Sequence, residues 1–195
     1  MKTIARLLLA GVACVTVATA AEARPFTAKD MATLDRVSDP RVSPDGRWVV
    51  YALRTVDYDA NKAAGSLWLA DLTARGVAPK RLAVSDGGAN TARWAPNGKS
   101  IYVLSSRSGS SQVWRAPIDG GAPVQVTAAP FDIGAFKLSP AGDRIIISQS
   151  VYPDCADAKC TADRDAANAA RKTTGVVHDR LFVRHWDEWA DGKRN

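Results

Sequence analysis

Between residues 40 and 150, short runs of β-branched and aromatic residues alternate with clusters of Pro, Gly, Asp, Asn and Ser. Runs over 40–43, 47–55, 66–71 and 79–83 have strand length and no helical period, so they predict four strands joined by turns. A second set follows at 91–94, 100–106, 112–118 and 123–127, and a third opens with 134–138 and 143–150 before the pattern stops. Residues 57–65 read as a polar loop longer than a hairpin requires. Ahead of these runs, Phe26, Met31, Leu34 and Val37 recur at roughly helical spacing, and Thr27 is placed to cap a short lead-in helix within 24–38.

One phrase ties the three sets together. Ser43-Pro44-Asp45-Gly46, Ala95-Pro96-Asn97-Gly98 and Ser139-Pro140-Ala141-Gly142 each stand between the first and second runs of a set. Proline presets φ at the second position of a type I turn, Asp or Asn suits the third and glycine the fourth. The prolines lie 52 and then 44 residues apart, near the roughly 40–50 residues of a propeller blade. The match extends beyond the turn: Ser66-Leu67-Trp68-Leu69-Ala70-Asp71 parallels Gln112-Val113-Trp114-Arg115-Ala116-Pro117, and the turns at 73–76 and 119–121 follow in the same place. The predicted fold is all-β, a partial β-propeller of about two and a half four-stranded blades over 39–150 with a small helical insertion. Propellers close with about four to eight blades, so the expectation is that these residues belong to a longer chain, the alternative being a ring completed by other chains.

Residues 151–195 change character. A cysteine loop leads into an alanine-rich segment, with Asp163 and Asp165 early and Arg171 and Lys172 late, which suits a helix dipole. With Thr161 as a candidate N-cap, a helix of about ten residues is expected between the second and third strands of the third blade. The tail carries Trp186 and Trp189.

At the other end, Lys2 and Arg6 precede an apolar run from Leu7 to Val17 and the small-x-small sequences Ala18-Thr19-Ala20 and Ala21-Glu22-Ala23. This is the pattern of a secretory signal peptide over 1–23, too short to span a membrane as an ordinary helix. A lipid anchor on Cys14 is disfavoured by Gly11, which stands where a branched apolar residue is preferred; a buried N-terminal helix is the other alternative. Without residues 1–23 the chain keeps 24 basic and 19 acidic residues. The cations are scattered through turns and strand ends, as on a solvated surface, and no nucleic-acid groove is expected. Cys155 and Cys160, in a polar loop of an exported chain, read as a local disulfide, with free thiols the alternative. A zinc site would need two more ligands, and none stands nearby at metal spacing.

The turn phrases resemble the propeller repeats of TolB-like proteins and of prolyl oligopeptidase family serine peptidases. Two stretches favour the peptidases: Asp39-Pro40-Arg41-Val42-Ser43-Pro44-Asp45-Gly46, and His178-Asp179-Arg180-Leu181-Phe182-Val183-Arg184-His185-Trp186-Asp187-Glu188-Trp189. The second is similar to a segment inserted in an early blade of bacterial dipeptidyl aminopeptidases and acylaminoacyl peptidases. The resemblance implies a propeller that precedes an α/β-hydrolase domain with a Ser-Asp-His triad, restricts access to peptides and helps position the substrate's amino end. It implies peptide substrates and no cofactor; the oligomeric state stays open. No Gly-x-Ser-x-Gly elbow occurs in these residues, so no catalytic residue is assigned. His178 and His185 have no serine motif to serve, and their spacing with Asp187 fits no zinc pattern. Asp187 and Glu188, between the two tryptophans, are the candidate substrate-binding residues: paired carboxylates beside an apolar wall suit a peptide ammonium. The competing reading packs the tryptophans between blades and leaves the acids solvated or paired with Arg184. A non-enzymatic TolB-like binding module of the cell envelope is the alternative function. A carbohydrate-acting propeller would need carboxylates converging on a central channel, and no repeated inward acid stands out.

Overall fold

The computed structural model describes residues 24–178, 181 and 183–195. The expected signal peptide and Asp179, Arg180 and Phe182 of the Trp-containing stretch lie outside the described residues.

A short helix α1 (Ala28–Thr33) opens the fold with a capping box. The Thr27 hydroxyl accepts from the Asp30 N–H at 3.2 Å, and the Asp30 carboxylate accepts from the Thr27 N–H at 2.8 Å. Strands β1 (Arg36–Val42), β2 (Trp48–Asp57), β3 (Lys62–Asp71) and β4 (Lys80–Arg81) then form one antiparallel meander in chain order. Strands β5 (Ala89–Trp94), β6 (Ser100–Ser105), β7 (Gln112–Pro117) and β8 (Val124–Gln125) repeat it. A third sheet begins with β9 (Ala135–Leu138) paired to β10 (Ile145–Ser148). These are the blades of an all-β partial propeller.

Each turn phrase closes the same way. The glycine N–H donates to the carbonyl three residues back at 2.9 Å in all three copies, and the glycines take φ of 73°, 67° and 74°. Ser43 and Ser139 add side-chain caps, accepting from the Trp48 and Arg144 N–H groups at 2.9 and 3.1 Å. The turns also nest. A methyl group on Gly98 would touch Pro44 Cδ at 3.7 Å, and one on Gly142 would meet Pro96 Cδ and Cγ at 2.7 and 2.9 Å. The phrase therefore fixes the approach of neighbouring blades as well as a hairpin.

The core follows the strand period of two. Ile101 and Val103 of β6 face blade one and join Val50, Leu67, Leu69, Leu82 and Val84. Leu104 faces the other way, with Val113, Ile133 and Phe136 between blades two and three. The first strands converge, β1 packing on β5 and β5 on β9, as around a propeller axis.

The structure corrects several expectations. Residues 57–65 are not a long loop: β2 and β3 pair without interruption to Asp57↔Lys62, and only 58–61 turn. Asn61 takes φ 48°, and the Asp57 carboxylate accepts from the Ala60 N–H at 2.9 Å, so the hairpin closes locally. The lead-in helix stops at Thr33, because residues from Arg36 onward pair with β2. Helix α2 (Ala158–Ala169) is capped by Asp157, whose carboxylate accepts from the Cys160 N–H at 2.8 Å. Thr161 is buried inside the helix, and its hydroxyl accepts from the Tyr152 N–H at 3.3 Å. Asp163 and Asp165 thus lie mid-helix, where Asp163 pairs with Lys159 at 2.6 Å rather than with the dipole.

Candidate functional site

The feature that sets the third blade apart is an excursion at the end of β10. Val151 and Arg194 exchange two backbone hydrogen bonds, of 2.7 and 2.8 Å, as an antiparallel bridge. Arg194 thereby lies where a third strand would pair beside the second, and the described residues between 152 and 193 form an insertion on that neck.

Tyr152 organises the base of the insertion. It is 7% exposed, its hydroxyl donates to Asp165 Oδ1 at 3.1 Å and accepts from Asn168 Nδ2 at 3.2 Å. The Arg164 guanidinium lies 4.5 Å above its ring, held there by two hydrogen bonds to Asp154 of 2.9 and 2.8 Å. Lys193 Nζ donates to Asp165 at 2.9 Å, which ties the returning chain to α2. The Cys155–Cys160 disulfide joins the loop after Tyr152 to the first turn of α2. Burial, reinforced by Asp165, pushes the Tyr152 hydroxyl above its ordinary value. The hydrogen bond to Asp165 raises Lys193 against the opposing effect of burial. The Arg164 guanidinium holds Asp154 below the usual carboxylate range.

Beyond this base the chain forms a small ribbon of β11 (Arg184–His185) and β12 (Glu188–Trp189), with Arg184↔Trp189 and His185↔Glu188 opposed. Trp186 and Asp187 make its two-residue turn, and Trp186 takes φ 53°, a left-handed conformation rare for a bulky residue. The Arg184 Nε–H donates to the Trp186 carbonyl at 2.6 Å, its guanidinium lies 5.6 Å from the Trp189 ring centre, and the His178 ring stacks on the same Trp189 ring with centroids 6.1 Å apart. Trp186 is 85% and Trp189 67% exposed. Among the described residues these two tryptophans touch neither complete blade, and the ribbon projects them.

An open cleft of about 1160 Å³ lies between α2 and this ribbon, with Tyr152, Arg164, Arg171, His178, Trp189 and Asp191 in its walls. Glu188 precedes Trp189 on β12, so its side chain leaves the opposite face of the ribbon. Asp187 sits at the tip of the turn. The structure thus brings both candidate acids next to the cleft but not into its lining. The carboxylates that line it are Asp154 and Asp191. Asp154 is committed to Arg164, and sequence reasoning missed Asp191, whose only signal is its position two residues after Trp189. Among the described residues no group of three or more His, Cys, Asp or Glu side chains is placed to hold a metal ion, and no helix is long and apolar enough to cross a membrane. Trp189 and Asp191 suit a cationic group such as a peptide amino end, while Arg164, Arg171 and Arg194 also line the cleft with the opposite charge.

No family model matches the chain. It is 27% identical over 159 residues to dipeptidyl-peptidase 5 of Porphyromonas gingivalis, covering 82% of this chain and 22% of that protein. With dipeptidyl-peptidase 5 of Porphyromonas endodontalis it shares 29% identity over 169 residues, 85% of this chain and 23% of the relative. The chain thus spans less than a quarter of the length of these curated relatives. Among solved structures, acylaminoacyl peptidase of Pyrococcus horikoshii superposes with a TM-score of 0.53 at 20% identity, covering 66% of this chain and 19% of that one. The chain resembles the propeller part of prolyl oligopeptidase family peptidases, and its blades share their fold.

Proposed function

We propose that this chain is the propeller part of an exported serine peptidase of the dipeptidyl aminopeptidase type. The blades restrict access to peptides, and the insertion over 152–193 positions the substrate's amino end. The observation that carries the reading is the likeness to two dipeptidyl-peptidases, which runs over more than four fifths of the chain and so takes in both complete blades. The charged, apolar and small-residue pattern of residues 1–23 supports the export part of this reading. Asp187 and Glu188 are the acids assigned to the peptide ammonium, presented at the end of the ribbon beside the exposed Trp186, whose ring face also suits a cation.

The test is to label the source organism's exported proteins with a fluorophosphonate and capture the product with an antibody against residues 91–127. A labelled band is expected, and an unlabelled band overturns the peptidase reading. In the captured enzyme, Asp187→Asn and Glu188→Gln are expected to raise KM for peptides with a free amino end. An unchanged KM in both variants removes the two acids from the substrate site.

A further inference from the structure

The innermost strands carry a feature that the peptidase reading does not use. Arg41 of β1 opposes Val50, Arg93 of β5 opposes Tyr102 and Lys137 of β9 opposes Ile146, so the three cations occupy one register position in successive blades, one residue pair away from the turn. The strands that carry them are those that converge. Two of the blades hold this position out with the same distortion. The register of β1 shifts between Ser38 and Arg41, with Asp39 at φ 48°, and that of β5 shifts between Asn90 and Arg93, with Thr91 at φ 55°. Such bulges re-aim the side chains that follow them.

One carboxylate serves the row. Asp39 accepts from Arg41 Nε and from Arg93 Nη1, both at 2.8 Å, the second across the gap between blades. The equivalent position is Thr91 in blade two and Ala135 in blade three, so among the described residues the row of three cations is paired with a single anion and carries a net charge of about +2. Among the described residues, the hydrogen bonds of Arg93 run through Nη1 alone, to Asp39 and to the Ala92 carbonyl; a guanidinium has five N–H donors. Arg93 and Lys137 also share a wall of the groove of about 420 Å³ between blades two and three, where Trp94, Pro96 and Leu138 supply the apolar part. Lys137 is exposed there.

We propose that this inter-blade groove binds a carboxylate of an acidic peptide, with Arg93 and Lys137 as its ligands and Arg41 extending the cationic track along the inner strands. The inference deepens the peptidase reading, since it names the class of peptide the propeller favours, and it rests on that reading for the peptide as occupant. A guanidinium and an ammonium on one wall suit a carboxylate, and the adjoining Trp94 and Leu138 suit the chain that bears it.

The test uses the complete protein and a pair of fluorescent peptides that share one amino-terminal half and differ in an acidic or a neutral carboxyl-terminal half. At low salt, binding of the acidic peptide is expected to be about fivefold tighter, and the difference should shrink as ionic strength rises. Lys137→Glu should abolish the preference and Lys137→Gln should halve it or more, while Arg75→Glu, the same charge change on a distant turn, should leave it intact. Equal affinities for the two peptides overturn the proposal, as does a Lys137→Glu effect no larger than that of Arg75→Glu. A single-stranded oligonucleotide that binds as tightly as the acidic peptide also overturns it, because the track would then be a general polyanion surface. Anisotropy reads binding without turnover, so a protein that binds the acidic peptide yet hydrolyses neither peptide would sink the peptidase reading and leave the groove standing.

Discussion

Blades one and two and the insertion on blade three are held together by different physics. The two blades meet over buried aliphatic side chains no more than 4% exposed, fed from both sheets by a strict alternation. In the insertion only Tyr152 and Thr161 are buried among the described residues. Its order comes from a disulfide, the Arg164–Asp154 and Lys193–Asp165 ion pairs and two backbone hydrogen bonds at the neck. Apolar burial is strong and short of geometric detail; staples and charge pairs are weaker but can hold a projecting ribbon with little core beneath it. A rigid scaffold that carries a sparsely packed excursion is the arrangement expected where the excursion meets a ligand.

The comparison breaks most sharply on a pair of truncations. Leu67→Ala removes a side chain 1% exposed in the inter-blade core and is expected to cost about 3 kcal/mol. Val177→Ala, 96% exposed in the insertion, should fall within about 0.5 kcal/mol of the parent. Urea midpoints at constant m-value check both, and similar losses would mean that the insertion shares the blades' core.

The nested turns offer a second separation. Gly46 and Gly142 have the same left-handed φ, 73° and 74°, but a methyl group on Gly46 meets nothing within 4 Å whereas one on Gly142 runs into Pro96. Gly46→Ala should cost about 1 kcal/mol from backbone strain alone. Gly142→Ala should add roughly 1–2 kcal/mol of overpacking between blades. Equal losses in the same denaturation experiment would show that the turns close their own hairpins without setting the approach of neighbouring blades.

These turns are also where the sequence was most legible, because Pro, Asp or Asn, and Gly each answer a local backbone demand. Strand lengths were harder to read. Lys62-Ala63-Ala64-Gly65 has poor strand propensity, yet it pairs fully because Thr55 and Val56 stand opposite. The start of α2 was misplaced because Thr161 resembles a cap, while its hydroxyl serves the buried Tyr152 N–H nine residues earlier. Trp186 gives no sign of its positive φ, since neither glycine nor asparagine marks the turn. Of the site, the acids and tryptophans were visible as a cluster, but the cleft depends on where α2 lies and was not. The cationic row was hidden for another reason. The Asp39–Arg93 pair joins residues 54 apart and comes into register only once the bulges in β1 and β5 are counted.

Removal of the staple should affect the insertion and spare the blades. In the chain-entropy picture a disulfide closing so short a loop contributes about 2 kcal/mol. Cys155→Ser with Cys160→Ser is expected to speed proteolysis and amide exchange within 152–193 and leave the urea midpoint of the blades unchanged. A parallel drop in that midpoint would show that the neck at Val151 and Arg194 transmits the loss.

The smallest expected effect concerns the ion pairs between blades. Burial opposes ionisation of Asp39, but the hydrogen bonds from Arg93 and Arg41 outweigh it and hold the carboxyl below its ordinary value. A carboxyl depressed in the folded state binds fewer protons there than in the unfolded chain. Its contribution is therefore complete above the unfolded value of about 3.9 and is lost as the pH falls through the lower folded one. Asp39→Asn keeps the side-chain shape and tolerates the positive φ of 48°, so it removes the charge with little added strain. The variant should be slightly less stable than the parent at neutral pH, by no more than about 1 kcal/mol for so exposed a network, and the gap should close in acid. Urea midpoints measured between about pH 7 and pH 3 check it. A gap that persists unchanged at the acid end would mean that Asp39 acts through its backbone conformation in the bulge, and that charge does not link the first two blades at their inner edge.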